Sequence, residues 1–371
     1  MKNKNILIIA KTLNEGGISK FIERTYTLLK KESVCNITIL TLTKTNDLKM
    51  VDYLEKNGIK VISVIAINKN PYKYFLEIRK LFKKNKFDIV HWHTDNWVNV
   101  YPILLAMRKK ETKIIVQSHN SSNSDVTNSK IKRLIQNFFR NKSLNWNITK
   151  IAVSSEAARW MFGSSQKVKI LFNPVNIEKF KFTEENRNLI RKQYGIKDEI
   201  VFGNVGRFKE QKNQVFLVRI FNQVCKINKN VRLMLIGSGP AEKLIDEEIR
   251  KYGLQNKVIK IGWTESINKF YAAFDEIIFP SLYEGFPLSL IEAQCSGCPV
   301  IFSDTITKDV KVLDSTLRYS LKSTPEDWAR KSLENVNDYL GKYRRAEVSR
   351  ILQKKGLDYE SYIGKMIDLY S

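Results

Sequence analysis

Residues Phe279 to Asp304 read Phe-Pro-Ser-Leu-Tyr-Glu-Gly-Phe-Pro-Leu-Ser-Leu-Ile-Glu-Ala-Gln-Cys-Ser-Gly-Cys-Pro-Val-Ile-Phe-Ser-Asp. The apolar run that ends at Pro280 predicts the end of a strand, because proline cannot donate a hydrogen bond to a sheet. Pro287 is well placed to open a helix, which Gly297 and Pro299 end before the next strand. This stretch therefore predicts a strand, a loop, a helix and a second strand, the repeating unit of an α/β fold.

Two carboxylates are spaced along this stretch. Glu284 comes before the predicted helix and Glu292 lies inside it. At about 1.5 Å of rise per helical residue, they are roughly 10 Å apart, about the distance from the hexose to the ribose of a nucleotide sugar. The free amides of the first helical turn lie between them and suit an anion such as a diphosphate.

Short apolar runs alternate with helical patterns in two series along the rest of the chain. The runs of the first series begin at Ile6, Ile37, Val61, Asp88, Ile114 and Ile151, and those of the second begin at Ile200, Val231, Val258, Ile277 and Val300. Two such series predict two Rossmann-like α/β domains with parallel sheets. Ligands of such sheets gather at the carboxyl ends of the strands, so we expect the site in a deep cleft between the domains.

The predicted domains are residues 1–172 and 173–355, joined where Asn173-Pro174 breaks an extended run. The 371 residues carry a formal charge of +25, and 31 basic against 12 acidic residues in 1–172 place +19 of it in the first domain. The four cysteines are scattered, and the first apolar run is too short for a signal sequence, so we expect a cytoplasmic protein.

The stretch from Phe279 to Asp304 resembles the Glu-x7-Glu signature of retaining glycosyltransferases of the GT-B fold, in the GT4 (glycosyl transferases group 1) family that makes exopolysaccharide and capsule. The resemblance covers nearly the whole chain. It implies that Glu284 holds hydroxyls of the donor sugar and Glu292 the ribose diol, with the phosphates at the amides near Gly285, Phe286 and Leu288. It also implies that the final helix, predicted from Tyr359 to Tyr370 within residues 356–371, crosses back to the first domain.

Other segments resemble further elements of this family. Gly206-Arg207 with Lys212 resembles its Gly-Arg…Lys element, and these two cations are candidates to stabilise the departing nucleotide diphosphate. The family places donor phosphate or acceptor at a pair such as Gly16-Gly17, although a plain turn is an open alternative. The remaining two candidates are Gly237, which would shape the cleft near the nucleotide, and Trp263, which would line the base pocket or serve as an ordinary core aromatic.

His119 ends a predicted strand, and Ser118-His119-Asn120 resembles the version found in exopolysaccharide enzymes. The resemblance implies that His119 contacts the reacting sugar and helps to stabilise charge. His91 and His93 end another strand, and Cys295 and Cys298 resemble half of a zinc or redox site. With few histidines, no second cysteine pair and no Asp-x-Asp, we expect neither a metal nor another cofactor.

A basic amphipathic helix is predicted around Lys130, Lys132, Arg133, Phe138 and Arg140. Such a helix can lie on an anionic membrane, where each cation contributes about 1 kcal/mol. A core helix with a solvated outer face is the alternative. Because most of the positive charge lies in the first domain, which favours an acidic surface, we expect a peripheral protein at the inner face of the plasma membrane.

Together these features predict a retaining, metal-independent glycosyltransferase that moves a hexose or N-acetylhexosamine from a nucleotide sugar. The resemblance to the family implies that the donor is a uridine diphosphate sugar and that the acceptor is a lipid-linked saccharide. An alternative on the same fold is a sugar-nucleotide 2-epimerase, which needs no second substrate. A basic nucleic-acid-binding protein would explain the pI near 9.7 but not the carboxylates and the phosphate-ready helix. We therefore expect no nucleic-acid partner.

Overall fold

The computed structural model describes residues 4–14, 17–33, 35–339, 345 and 348–371. The chain divides into two compact units. The first unit comprises Met1–Asn173 together with Tyr359–Ser371, and the second comprises Pro174–Asp358. The boundary expected from the sequence lay between residues 172 and 173.

The first unit contains a seven-stranded parallel sheet in the order β3-β2-β1-β4-β5-β6-β7. Its strands are β1 Lys4–Ala10, β2 Cys35–Thr41, β3 Lys60–Ser63, β4 Ile89–Thr94, β5 Lys113–Ser118, β6 Thr149–Ala152 and β7 Lys169–Ile170. In β1, Ile6 and Ile8 belong to one apolar cluster while Leu7 and Ile9 belong to another. Helices therefore cover both faces of the sheet, as a parallel sheet requires.

Eight helices of the first unit lie within the described residues. They are α1 Gly17–Glu32, α2 Leu48–Lys56, α3 Pro71–Lys84, α4 Tyr101–Ala106, α5 Ser124–Thr127, α6 Lys130–Ser143, α7 Ser155–Phe162 and, from the end of the chain, α16 Tyr359–Tyr370. Helix α16 buries Tyr362, Ile363 and Met366 in the cluster that contains α1. The Lys4 ammonium also donates to the Tyr370 carbonyl at 2.8 Å. The last helix is thus part of the first unit's core.

The second unit contains a six-stranded parallel sheet in the order β10-β9-β8-β11-β12-β13. Its strands are β8 Ile200–Val205, β9 Val231–Ile236, β10 Val258–Ile261, β11 Glu276–Phe279, β12 Val300–Ser303 and β13 Thr316–Tyr319. The expected parallel α/β architecture of both units is confirmed. Strands β7 and β13 were not predicted, because β7 has two residues and β13 contains an exposed arginine, Arg318.

Helices and short turns connect these strands. The α-helices are α8 Ile177–Phe180, α9 Glu184–Gln193, α10 Gln214–Ile227, α11 Glu242–Lys251, α12 Ile267–Ala273, α13 Leu288–Cys295, α14 Pro325–Tyr339 and α15 Ser349–Lys354, and the 3-10 turns are Glu210–Lys212 and Lys308–Val310. Helices α10, α11 and α14 bury apolar side chains against one face of the sheet. Across both units, none of the described helices has the length and apolar content needed to cross a bilayer.

Glu276, the first residue of β11, is fully buried. Its carboxyl group accepts a hydrogen bond from Asn335 Nδ2 at 2.6 Å and contacts the Ser332 hydroxyl. Burial raises the pKa of Glu276 well above its usual value. The carboxyl therefore stays protonated in the folded chain at pH values where an unfolded glutamate ionises.

The substitution Glu276→Gln is expected to flatten the pH dependence of stability. Because the wild-type folded state keeps a proton that the unfolded state loses above about pH 4.5, its stability falls as pH rises, by on the order of 1 kcal/mol per pH unit. The variant lacks this loss and gains stability relative to wild type with rising pH. Urea unfolding from pH 5 to 8 measures this, with Glu247→Gln, an exposed change in the same unit, as control. Parallel curves for Glu276→Gln and wild type would contradict it.

Candidate functional site

The loops after β8 and β9 run side by side at the carboxyl edge of the second sheet. The Gly206 amide donates to the Ile236 carbonyl at 3.0 Å, and the Phe208 amide donates to the Ser238 carbonyl at 2.9 Å. Gly237 has a φ of 142°, and a Cβ there would lie 2.1 Å from the Gly206 oxygen. Only glycine fits at this position, so Gly237 fixes the path of the loop that carries Arg207.

The loop after β8 is tied to the loop after β11 by hydrogen bonds. Gln211 Nε2 donates to the Tyr283 carbonyl at 2.9 Å, and the Leu282 amide donates to the Gln211 carbonyl at 2.8 Å. Asn213 Nδ2 donates to the Pro280 carbonyl at 3.1 Å. Two segments about seventy residues apart in the chain are thereby held against each other, with Lys212 between the tied residues.

Lys212 and Glu284 form an ion pair at this junction. Lys212 Nζ lies 2.7 Å from Glu284 Oε1, and the side chains are only 14% and 10% exposed. The ammonium also lies 4.6 Å from the centre of the Phe279 ring. The two residues had been predicted separately, one for phosphate and one for sugar hydroxyls, and the structure places them in contact.

The loop that carries Glu284 leads directly into α13. Gly285 and Phe286 are buried and Leu288 is half-buried. Pro287 occupies the position before the first helical residue, and no side chain among the described residues caps this end of the helix. The amides of the first turn therefore remain suited to an anionic ligand.

Glu292 lies in the second turn of α13 and is half-buried. The Tyr271 hydroxyl, from α12, donates to Glu292 Oε2 at 2.8 Å. Burial and the neighbouring carboxylate raise the pKa of Tyr271 well above its usual value, so the hydroxyl remains a donor. Sequence analysis did not single out Tyr271, because twenty-one residues separate it from Glu292 and no motif joins them.

Three further buried polar side chains lie on the same elements of the second unit. Asn204 in β8 donates its Nδ2 to the Ile278 carbonyl at 2.8 Å, and Gln214 donates its Nε2 to the Arg207 carbonyl at 3.2 Å. The oxygens Asn204 Oδ1, Gln214 Oε1 and Ser281 Oγ have no hydrogen-bond partner among the described residues. Buried polar atoms normally have a partner, so these are candidates to bind a ligand. The only sequence signal for Asn204 is a polar residue inside an apolar strand.

The other residues predicted to bind the donor differ in their exposure and in the space around them. Arg207 is exposed, which leaves its guanidinium accessible. Trp263 is 52% exposed, so the interpretation of this residue as a core aromatic was wrong. Gly17 is the first residue of α1, where a Cβ would meet no atom within 4 Å. Gly16 lies outside the described residues.

His119 follows β5 in the first unit and is buried with His91 and His93 of β4. His93 Nδ1 lies 2.8 Å from His119 Nε2. Burial lowers the pKa of His119 to about 3. The ring is therefore neutral at physiological pH, and it can form hydrogen bonds but cannot supply a formal positive charge.

The two cysteines that resemble half of a zinc or redox site lie in the interior of the second unit. Cys295 and Cys298 are buried free thiols, and burial raises the pKa of Cys298 to about 12. A buried thiol of this kind is unreactive. Within the described residues, no group of three or more His, Cys, Asp and Glu side chains is arranged to hold a metal ion.

Helix α6 carries an exposed apolar stripe with basic neighbours. Ile131, Leu134 and Phe138 are 72%, 70% and 56% exposed. Lys130, Lys132 and Arg133 are also exposed, whereas Arg140 is half-buried. The stripe faces solvent in this structure, which disagrees with a helix whose apolar side is packed in the core. We name Ile131, Leu134 and Phe138 with Lys130, Lys132 and Arg133 the α6 face.

Each of the two units matches a known protein family. The family described as glycosyl transferases group 1 matches residues 186–354, and the family described as glycosyl transferase 4-like matches residues 21–155. The first match contains Arg207, Lys212, Glu284 and Glu292, and the second contains His119. The two matches thus include most of the residues assembled above.

Individual proteins resemble the chain over two thirds of its length or more. The putative glycosyltransferase EpsF of Bacillus subtilis is 30% identical, over 99% of this chain and 96% of that protein. The Escherichia coli UDP-Gal:alpha-D-GlcNAc-diphosphoundecaprenol alpha-1,3-galactosyltransferase is 25% identical over 69% of this chain and 68% of its own. Among solved structures, Anabaena HepE in complex with UDP superposes with a TM-score of 0.79 at 16% identity, covering 100% of this chain and 99% of HepE.

Proposed function

The chain belongs to the glycosyl transferases group 1 family and is a glycosyltransferase of the GT-B fold, and on that basis we propose its substrates and mechanism. The donor is a uridine diphosphate hexose or N-acetylhexosamine. The acceptor is a saccharide on a membrane lipid diphosphate, as in exopolysaccharide or capsule synthesis. Transfer retains the anomeric configuration and needs no metal ion.

The Lys212–Glu284 pair beside the start of α13 is the observation that carries this proposal. An ammonium has three N–H donors, so Lys212 can keep its bond to Glu284 and still donate to a phosphate oxygen. The carboxylate has two oxygens and can also accept from a sugar hydroxyl. One ion pair thus connects the sugar end of the donor to its diphosphate.

Other groups of the second unit would bind the rest of the donor. Glu292, oriented by Tyr271, would accept from the ribose hydroxyls, while the amides at the start of α13 and the exposed Arg207 would bind the diphosphate. As the bond to the sugar breaks, negative charge grows on the departing diphosphate, and fixed cations stabilise that state more than the bound donor. The acceptor hydroxyl would then attack from the face that the diphosphate leaves.

Two lines of support favour this donor and this acceptor. HepE binds UDP, and the Escherichia coli relative is named for UDP-galactose and a diphosphoundecaprenol acceptor. The α6 face adds a membrane component, since its apolar stripe and cations suit an anionic lipid surface. We therefore propose that the protein binds the inner face of the plasma membrane peripherally, where such an acceptor is presented.

The proposed activity is tested by binding and by transfer. Uridine diphosphate sugars should raise the melting temperature more than guanosine diphosphate sugars in a thermal-shift panel, because a ligand of the native state stabilises it. The best donor should then be transferred to a lipid-diphosphate saccharide in EDTA with its anomeric configuration kept, as NMR of the product shows. Loss of transfer in EDTA, an inverted product, or epimerisation of the donor without acceptor would each contradict the proposal.

The double substitution Arg207→Ala with Lys212→Ala is expected to lower kcat by roughly a thousandfold, while the Kd for the nucleotide rises by less than about tenfold. The reason is that both cations act mainly on charge that develops in the transition state. Steady-state kinetics and calorimetric titration with UDP measure the two effects. Lys226→Ala with Lys229→Ala removes the same charge from exposed positions of the second unit and serves as control. Equal losses in kcat and nucleotide affinity would rule out this role.

Neutralising Lys130, Lys132 and Arg133 to Gln is expected to reduce binding to anionic liposomes roughly a hundredfold, at about 1 kcal/mol per cation. Donor hydrolysis should not change. The control is Arg108, Lys109 and Lys110 changed to Gln, which removes the same charge from exposed positions of the first unit outside α6. Sedimentation with vesicles of anionic lipid measures binding. If the two triple variants bind equally, the α6 face is not the membrane contact.

A further inference from the structure

All three histidines of the chain and two tyrosines form one buried series of hydrogen bonds in the first unit. His119 Nε2 contacts His93 Nδ1 at 2.8 Å, and His93 Nε2 contacts the Tyr26 hydroxyl at 2.6 Å. The Tyr26 hydroxyl contacts that of Tyr370 at 3.0 Å, which in turn contacts His91 Nδ1 at 2.6 Å. We call these five residues the His–Tyr series.

Water is excluded from the series by apolar and aromatic packing. Its members are 7% exposed or less. The Phe21 ring packs against His93 and His119, with ring centres 5.7 and 5.2 Å apart. Desolvation lowers the pKa of all three histidines, so each ring is neutral and carries a single N–H.

Counting protons restricts how the series can be arranged. Each neutral imidazole and each tyrosine has one proton, and each of the four contacts in series needs one. A reversal at His93 would need a second ring proton or leave a contact with none, and a reversal at a tyrosine would need a second hydroxyl proton or leave its own buried proton without an acceptor. All the bonds must therefore point the same way, either from His119 toward His91 or from His91 toward His119. The Tyr26 hydroxyl also lies 3.1 Å from His91 Nδ1, and its position allows either direction.

The far end of the series decides between the two directions. His91 Nε2 and Gln117 Oε1 are both buried, have no hydrogen-bond partner among the described residues, and belong to the paired strands β4 and β5. Gln117 already uses its Nε2 to donate to the Tyr362 hydroxyl at 3.3 Å. Its oxygen is therefore the Gln117 atom left to accept from His91, and the Gln117 side chain acts to raise the pKa of His91, as an acceptor does. His91 then holds its proton on Nε2, and its Nδ1 accepts from Tyr370.

We propose that Tyr26 and Tyr370, acting through His93, are positioning residues that hold His119 as its Nε2–H tautomer, so that His119 Nδ1 accepts a hydrogen bond from a hydroxyl of the sugar substrate. His119 Nδ1 is buried and has no partner among the described residues. The inference rests on the proposed function, because it takes His119 as a contact of the sugar. It adds a direction to that contact, since the ring accepts and the sugar hydroxyl donates.

The tautomer of His119 can be observed directly in the wild-type chain. With nitrogen-15 in histidine only, two-bond proton–nitrogen spectra show the signals of three rings. The signals that are missing from the spectrum of the His119→Gln variant belong to His119. We expect a protonated Nε2 and an unprotonated Nδ1 for His119. A protonated Nδ1 would overturn the proposal, and this result does not depend on whether a donor has been found.

The substitution Tyr26→Phe removes one hydroxyl from the middle of the series and keeps the ring. We expect His119 to populate both tautomers and kcat for transfer to fall about tenfold, with KM for the donor changed less than twofold, since the ring still occupies its place. Tyr74→Phe is the matched control, because Tyr74 is an equally buried tyrosine of the same unit that donates to Asn99 Oδ1 at 2.5 Å.

Equal kcat values and an unchanged His119 tautomer in Tyr26→Phe and Tyr74→Phe would overturn the role of Tyr26. Full transfer activity in His119→Gln would overturn the contact between His119 and the sugar. A chain that transfers no sugar from any donor contradicts the proposed function instead, and the wild-type spectrum then still decides the direction of the series.

Discussion

The candidate donor site depends on the hydrogen bonds that tie the loop after β8 to the loop after β11. These bonds involve the backbone at Gln211, Leu282 and Tyr283, and they place Lys212 against Glu284. A lysine and a glutamate that are mostly removed from water stabilise each other only when their geometry is fixed. The tie fixes it before any ligand arrives, so the charges need little rearrangement when a nucleotide sugar binds.

Much of the fold could be predicted from the sequence because parallel strands that are buried on both faces appear as continuous apolar runs. The run Ile6-Leu-Ile-Ile contributes to two apolar clusters of the first unit, as expected of a strand buried on both faces. The helix Tyr359–Tyr370 was predicted with the bounds that the structure gives it. Strands β7 and β13 could not be predicted, since their pairing comes from a neighbouring strand and not from their own composition.

The site was predictable only as far as it is local in sequence. Glu284, Glu292 and the start of α13 lie in one run, and their relation follows from helix geometry. The contacts of Lys212 with Glu284, of Tyr271 with Glu292, and of Tyr26 with His93 join residues 72, 21 and 67 positions apart. Such contacts are fixed by the order of the strands and by tertiary packing, and no spacing rule contains them.

The candidate site residues of the two units differ in their charge state, and this difference bears on the mechanism. The second unit pairs the partly buried Lys212 with a carboxylate, whereas the first unit buries its three histidines as neutral rings. A charged imidazole in that environment would be buried beside two others, at a high desolvation cost. His119 can therefore act only through hydrogen bonding. The sequence-based hypothesis that it helps to stabilise charge is limited to that kind of contact. In the proposed mechanism, positive charge for a departing diphosphate comes instead from Arg207, Lys212 and the amides of α13, all in the second unit.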